Sequence, residues 1–393
     1  MENTRIGKTE AIALIITVMV NHAILNISKA ILSSTHSSAL LNALYISVLA
    51  IIISYIICRL LNKFPTFDIL DISNFLGGKF LKVIIGIVFF IYFVFFSSTL
   101  LKNFSYCLQI IYYPNTNTFF IIAIFLISAF FVCTLKYNAI YRSNLLTIPF
   151  VLLSLVILFV GNYGDFTIEN IYPILGNGVK ETFLSGINNL FAFQGILYIL
   201  FLPPHLKDVT QLRKITLLSI IFSALYLLIS ISTILLLFDA EVTNTLLMPL
   251  YSAARYIEFG SFFQRLDSIF ILIWIISFIS YLSITIQICS NIFKKITSVN
   301  NIKISVLLVS LLILMTTFLF ATYALSTFFA EIVYKYAFLI LLGICIIILL
   351  SAYILKIFKT RYGYYYITWY YFKLMVLLCI ILPNNIRNII PII

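Results

Sequence analysis

Met19-Val20-Asn21-His22-Ala23-Ile24-Leu25-Asn26 sits in the middle of an apolar stretch, residues 9–31, that is long enough to cross a bilayer. Three polar side chains, Asn21, His22 and Asn26, therefore fall near the bilayer midplane, where polar groups are costly. A second interruption, Asn188-Asn189-Leu190-Phe191-Ala192-Phe193-Gln194-Gly195, lies in another apolar stretch five segments later. Paired interruptions at corresponding positions of two halves point to a binding site where the halves meet.

The rest of the chain reads as an all-α integral membrane protein. It is 63% hydrophobic and 10% charged over 393 residues, a balance no water-soluble domain has. Apolar segments fall at 9–31, 38–61, 83–111, 118–135, 144–161, 185–203, 215–238, 267–292, 303–325 and 334–356. Each can span about 30 Å of hydrocarbon, and lipid cannot satisfy open backbone groups, so these predict about ten transmembrane helices. The first is too long for a cleaved leader and is expected to stay in place.

The net charge of +12 follows topology rather than nucleic-acid binding. With the N-terminus in the cytoplasm, most of the 25 Lys and Arg residues fall inside, among them Arg5, Lys8, Lys63, Lys214, Lys294 and Lys295. The outer loops, 162–184 and 239–266, carry Asp165, Glu169, Glu181, Asp239 and Glu241. Residues 245–258 have helical spacing and predict a short helix across the outer mouth. Beyond Arg361 the chain is crowded with Tyr and Trp, residues that favour the membrane interface. There, 365–383 reads either as an eleventh helix or as an interfacial segment.

Several local patterns occur together and in order: Lys63-Phe64-Pro65, Leu76-Gly77-Gly78-Lys79, Tyr141-Arg142, Asn170-Ile171-Tyr172-Pro173-Ile174-Leu175, and Phe263-Gln264-Arg265-Leu266-Asp267 leading to Trp274. Over residues 5–360 this set resembles the B subunit of spore nutrient-germinant receptors, a branch of the amino acid–polyamine–organocation superfamily. The resemblance implies a LeuT-like fold with a 5+5 inverted repeat. Its halves would be 9–161 and 185–356 within one permease-like domain, 1–360, followed by an aromatic, hydrophobic tail, 361–393. The first and sixth helices would be unwound at the pocket, where the polar interruptions fall. It also implies work in the inner membrane of the spore, with an A subunit and a lipoprotein C subunit as partners, on a small nutrient such as an amino acid. Two features depart from the family: Asn and His stand at the first interruption where related permeases have glycines, and the tail runs past the usual end.

Unwinding frees N–H groups on one half-helix and C=O groups on the other, which together suit a zwitterion. His22 would line such a pocket, or else bond a neighbouring helix as a neutral imidazole. Asn21 and Asn26 would cap freed backbone or touch ligand. Gln194 offers a donor and an acceptor beside Gly195, where backbone can approach closely. Of Phe191 and Phe193, one would close over the ligand or both would simply pack. Ser97 on the third helix and Ser280 on the eighth complete the candidates, and Ser277 shares the eighth helix's polar face. The expected pocket lies between the first, third, sixth and eighth helices.

Lys29 and Lys102 are expected to extend to the interface, and Glu10, Asp267 and Glu331 to sit near helix ends. The six cysteines are scattered through apolar segments and read as small packing residues rather than metal ligands or disulfides. No catalytic triad, metalloprotease, phosphate-loop or dinucleotide pattern is present, so neither an enzyme nor a cofactor is expected. Three functions follow: a membrane sensor of a nutrient, a proton- or sodium-coupled amino acid transporter, and a structural or ion-conducting component.

Overall fold

Residues 5–135, 137–257, 266–297, 299, 301–320 and 322–362 are described by the structure, a computed structural model. The apolar stretch 365–383, Cys379, Arg265 and the side chain of Asn26 lie outside the described residues. Eight helices are long and apolar enough to cross a membrane, and Thr118–Thr134 is a shorter apolar helix. The sixth segment is broken into short pieces between Lys180 and Ile199.

The first segment comprises α1 (Lys8–His22), a π turn (Ala23–Ile27) and α2 (Ser28–Thr35). Next come α3 (Ala39–Leu61), α4 (Ile69–Tyr112), α5 (Thr118–Thr134) and α6 (Tyr137–Gly161). The sixth segment is a π turn (Lys180–Leu184), a 3-10 helix (Ser185–Phe193) and α7 (Gly195–Ile199). α8 (Leu212–Leu237), α9 (Ala240–Thr245), α10 (Pro249–Tyr256), α11 (Leu266–Thr297) and α12 (Ile302–Leu319) follow. The last segment is α13 (Tyr323–Ile332), a π turn (Val333–Ala337) and α14 (Phe338–Tyr362).

Small residues, rather than hydrophobicity, mark the inside. Lipid is as apolar as a Leu side chain, so buried faces are chosen for close backbone approach and hydrogen bonding. On α3 the buried stripe is Ala39, Ala43, Ser47, Ala50 and Ser54, while Leu44, Val48, Ile52 and Ile56 face outward. The small stripe packs on α8, where the Cys58 thiol donates to Thr216 Oγ1 at 3.0 Å.

Three boundaries differ from the sequence reading. The third segment begins at Ile69, capped by the Asp68 carboxylate accepting from the Asp71 N–H at 2.9 Å. It kinks at Gly77 and Gly78, where the φ of +67° at Gly78 requires glycine. The tenth begins at Tyr323 rather than 334, so Glu331 lies within the helical run and not at its end. The helix expected at 245–258 is Pro249–Tyr256, started by proline at its first position.

The two ends of the bundle differ in charge. One, the basic face, carries Lys294 and Lys295 with the N-terminal residues; the other, the loop face, carries residues 162–184 and α9–α10. On the basic face Ile6 pairs as a parallel bridge with Leu206, its N–H donating to the His205 carbonyl at 2.8 Å.

Asn42 on α3 holds the sixth segment. Its amide donates to the carbonyls of Thr182 (2.7 Å) and Gly186 (3.1 Å), and its Oδ1 accepts from Asn189 Nδ2 at 2.9 Å. A Cβ on Gly186 would stand 2.2 Å from Asn42 Nδ2, so the two backbones meet only because residue 186 is glycine. Asn42→Ala removes all three bonds and is expected to cost about 1–3 kcal/mol. The check is a lower melting temperature of the detergent-purified protein, with Leu44→Ala on the outward face of α3 as the unaffected control.

Candidate functional site

Both polar interruptions sit on strained helix rather than on open chain. In the first segment the backbone stays right-handed helical at His22, Ile27 and Ser28, but the turn widens to the i→i+5 pattern over Ala23–Ile27. Ser28 Oγ then donates to the Ala23 carbonyl, five residues back, at 3.1 Å. In the sixth segment the helix tightens into a 3-10 run of nine residues, longer than such runs usually persist. Expected interruptions at the first and sixth segments thus take the form of an under-wound and an over-wound helix. π turns within helices concentrate at functional sites.

These two segments meet closely. A Cβ on Gly195 would lie 2.7 Å from both Cγ and Cε of Met19, so glycine allows α7 to seat against α1. Asn21 bonds to the eighth segment, its Nδ2 donating to Ser277 Oγ at 2.9 Å and to the Ser277 carbonyl at 3.2 Å. Gln194 Oε1 accepts from the Tyr92 hydroxyl at 3.2 Å.

His22 is buried among rings. Its centroid lies 4.3 Å from Phe96 and 5.0 Å, edge-on, from Tyr281. Phe96 meets Tyr334 at 4.4 Å, and Tyr334 stacks with Phe191 at 5.9 Å. The Tyr334 hydroxyl bonds with Thr99 Oγ1 at 2.8 Å. His22 Nε2, Gln194 Nε2 and the Tyr281 hydroxyl are buried with no hydrogen-bond partner among the described residues. An unpartnered buried polar atom calls for an explanation, and ligand chemistry is one.

Two cavities flank this ring stack. On the loop face, about 290 Å³ opens between the first, third, sixth and tenth segments, with Phe191 and Tyr334 among its lining residues. Lys29, Asn103, Glu331 and Lys335 line it as well. On the basic face, about 210 Å³ opens beside Leu14, Asp68, His205, Asn291 and Lys295. There Lys295 Nζ lies 2.6 Å from a carboxylate oxygen of both Asp68 and Asp71, joining the end of α11 to the start of α4. Burial pushes the Asp68 carboxyl up to about 6, against the pull of the Lys295 ammonium.

The sequence-derived candidates fall into three groups. Asn21, His22, Gln194 and Gly195 gather at the centre, between the cavities. Phe191 lines the loop-face cavity and belongs to the ring stack. Phe193, Ser97 and Ser280 are buried in helix packing: Ser97 Oγ donates to the Phe93 and Val94 carbonyls of its own helix, and the eighth segment reaches Asn21 through Ser277. Lys29 does not extend to the interface but lines the loop-face cavity and donates to the Leu246 carbonyl at 2.6 Å. Phe96, Asn103 and Tyr334 escaped the sequence reading. Asn103 carried a usable signal, a carboxamide deep in an apolar segment, whereas single rings among 37 Phe and 25 Tyr carried none.

A bundle with interrupted first and sixth segments around a buried polar centre defines a membrane protein of the LeuT transporter-like class. The solved structures agree on this fold. Mhp1, a nucleobase-cation-symport-1 family transporter in a closed conformation with bromovinylhydantoin bound, superposes with a TM-score of 0.63 at 14% identity, covering 87% of this chain and 78% of that one. A Na⁺-coupled sialic acid symporter in a substrate-bound outward-open state gives 0.59 at 11% identity, covering 92% and 85%. Within that class the chain belongs to the spore germination protein family, whose profile matches residues 5–325. Spore germination protein YndE of Bacillus subtilis (strain 168) is 25% identical over 74% of this chain and 82% of its own length. GerQB of Bacillus cereus is 21% identical over 70% and 75%. Family and fold are those of receptors and transporters rather than of enzymes.

His22→Phe keeps a ring against Phe96 and Tyr281 and deletes the unpartnered Nε2. Removing a buried unsatisfied nitrogen relieves about 1–3 kcal/mol. The variant is expected to melt in detergent at or above the wild-type temperature, as a site held for function rather than stability would.

Proposed function

We propose that this chain is the membrane subunit of a spore germinant receptor that binds a small nutrient, an amino acid, and triggers germination with an A subunit and a lipoprotein C subunit. It would lie in the inner membrane of the spore with the N-terminus and the basic face in the cytoplasm, as the positive-inside bias favours. Residues 9–161 and 185–356 would form its two inverted repeats, with 361–393 as an appended tail. The observation that carries the reading is the loop-face cavity bordered by the Phe191–Tyr334–Phe96–His22 ring stack. A ligand there touches the tenth and sixth segments at the edge of the central site. It can favour one arrangement of the rings over another, and such differential contact is what a sensor requires.

Asn21, His22, Asn26, Gln194 and Gly195 would form the responsive centre, with Phe191 closing over the ligand. Ser97, Phe193 and Ser280 would support it from behind. A second reading, an amino acid transporter, is favoured by the cavity on each face of that centre and by the likeness to symporters. Concentrative uptake into vesicles containing the purified chain would decide for it.

Spores deleted for the gene are expected to lose germination with one nutrient of a single-amino-acid panel and to regain it with the wild-type gene. Gly195→Leu forces the first and sixth segments apart at Met19. It is expected to abolish that response while the protein remains in the spore membrane, read by immunoblot. A retained response would count against this placement of the centre.

A further inference from the structure

The loop-face cavity carries opposite charges on separate walls. Lys29 projects from α2, Glu331 from α13 and Lys335 from the π turn Val333–Ala337. Among the described residues neither Lys29 nor Glu331 is in an ion pair. Unpaired ionisable side chains on spanning segments are costly and mark functional sites by default. Lys29 donates one N–H to the Leu246 carbonyl, and an ammonium has three.

Asn103 adds an independent sign of a ligand. It is 2% exposed and borders the cavity, its Oδ1 accepts from Ser326 Oγ at 2.8 Å, and its Nδ2 has no partner among the described residues. The site thus offers donors in Lys29 and Asn103 and an anionic acceptor in Glu331. Its volume, about 290 Å³, lies at the small end of the range for ligand pockets, roughly 300–1,000 Å³.

From this arrangement we propose that the loop-face cavity binds the zwitterionic head of a small α-amino acid, the carboxylate on Lys29 and Asn103 and the ammonium on Glu331. This rests on the nutrient-sensing reading above and deepens it. Recognition of the head is by side-chain charge in the vestibule, not by backbone freed at the helix interruptions. A ligand with only one charged end leaves Lys29 or Glu331 unmatched. The carboxylate also shares Lys29 with the Leu246 carbonyl, at the end of α9, so that loading the cavity alters the tie between α2 and the loop face.

The test uses the purified full chain and the twenty common L-amino acids, with binding read by calorimetry. The best binder is then compared with its decarboxylated amine and its deaminated acid. Both single-ended analogues are expected to bind at least about tenfold more weakly, as are Lys29→Met and Glu331→Gln with the parent amino acid, since a hydrogen bond to a charged group is worth at least that factor. Lys29→Arg, which keeps the charge, is expected to recover most of the affinity and so separates lost recognition from lost folding. Equal affinity for amine and amino acid, or unchanged affinity in both charge-neutral variants at wild-type melting temperature, overturns the proposal. Germination of spores carrying the same variants separates the two claims. Amino acid binding that follows Lys29 and Glu331, with no nutrient response lost on gene deletion, upholds the site and rejects the sensor. A nutrient response that needs the gene but ignores both residues upholds the sensor and rejects the site.

Discussion

Backbone hydrogen bonds have to be satisfied inside the protein wherever water is absent, and the sixth segment breaks the regular ladder where that demand is strictest. Its π turn and 3-10 run leave carbonyls that an α-helix would have used. Asn42 takes up two of them from the side, at Thr182 and Gly186, and then bonds Asn189. Because one carboxamide on α3 supplies these contacts, the broken segment can exist at membrane depth without water. The position of everything downstream follows: Phe191 reaches the ring stack, Gln194 reaches Tyr92, and Gly195 brings α7 against Met19.

The first segment solves the same problem with less disruption. Lacking glycine at its interruption, it cannot readily enter conformations with positive φ. The π turn keeps every residue near helical angles while one extra residue per turn shifts the register of α2 against α1. Asn21 and Ser28 satisfy carbonyls on either side of it. The departure from the glycine pattern of related permeases therefore changes the kind of distortion without removing it. Side chains rather than open backbone then meet whatever occupies the centre.

Much of the fold was legible because lipid imposes a length and a composition on each segment, and ten apolar stretches announce themselves. The two interruptions were legible for the same reason, since Asn21, His22 and Gln194 are conspicuous only against an apolar background. Boundaries were less so: Ile69–Leu76 is amphipathic rather than uniformly apolar, and Glu331 and Lys335 hid the true start of the tenth segment. The cavity was not legible at all. Its walls come from residues hundreds of positions apart, and its charged members resembled interface anchors when read along the chain. Lys29 looks like any lysine near a helix end until the structure sets it beside the same cavity as Glu331.

The placement of charge and aromatic surface explains why the centre need not itself be open. Phe191 and Tyr334 border the loop-face cavity and at the same time pack toward Phe96 and His22. Rings packed edge to face have few intermediate arrangements of comparable energy, because a small radial gap already forfeits a large part of their dispersion contact. A displacement of Tyr334 is therefore shared by Phe96, which presses on His22, and by Thr99, which holds the Tyr334 hydroxyl. The polar atoms left unpartnered at His22, Gln194 and Tyr281 make this packing less favourable than a wholly apolar one would be. A packed septum that is both stiff and slightly unfavourable is poised between arrangements. Contacts made at its edge can then decide which of them prevails.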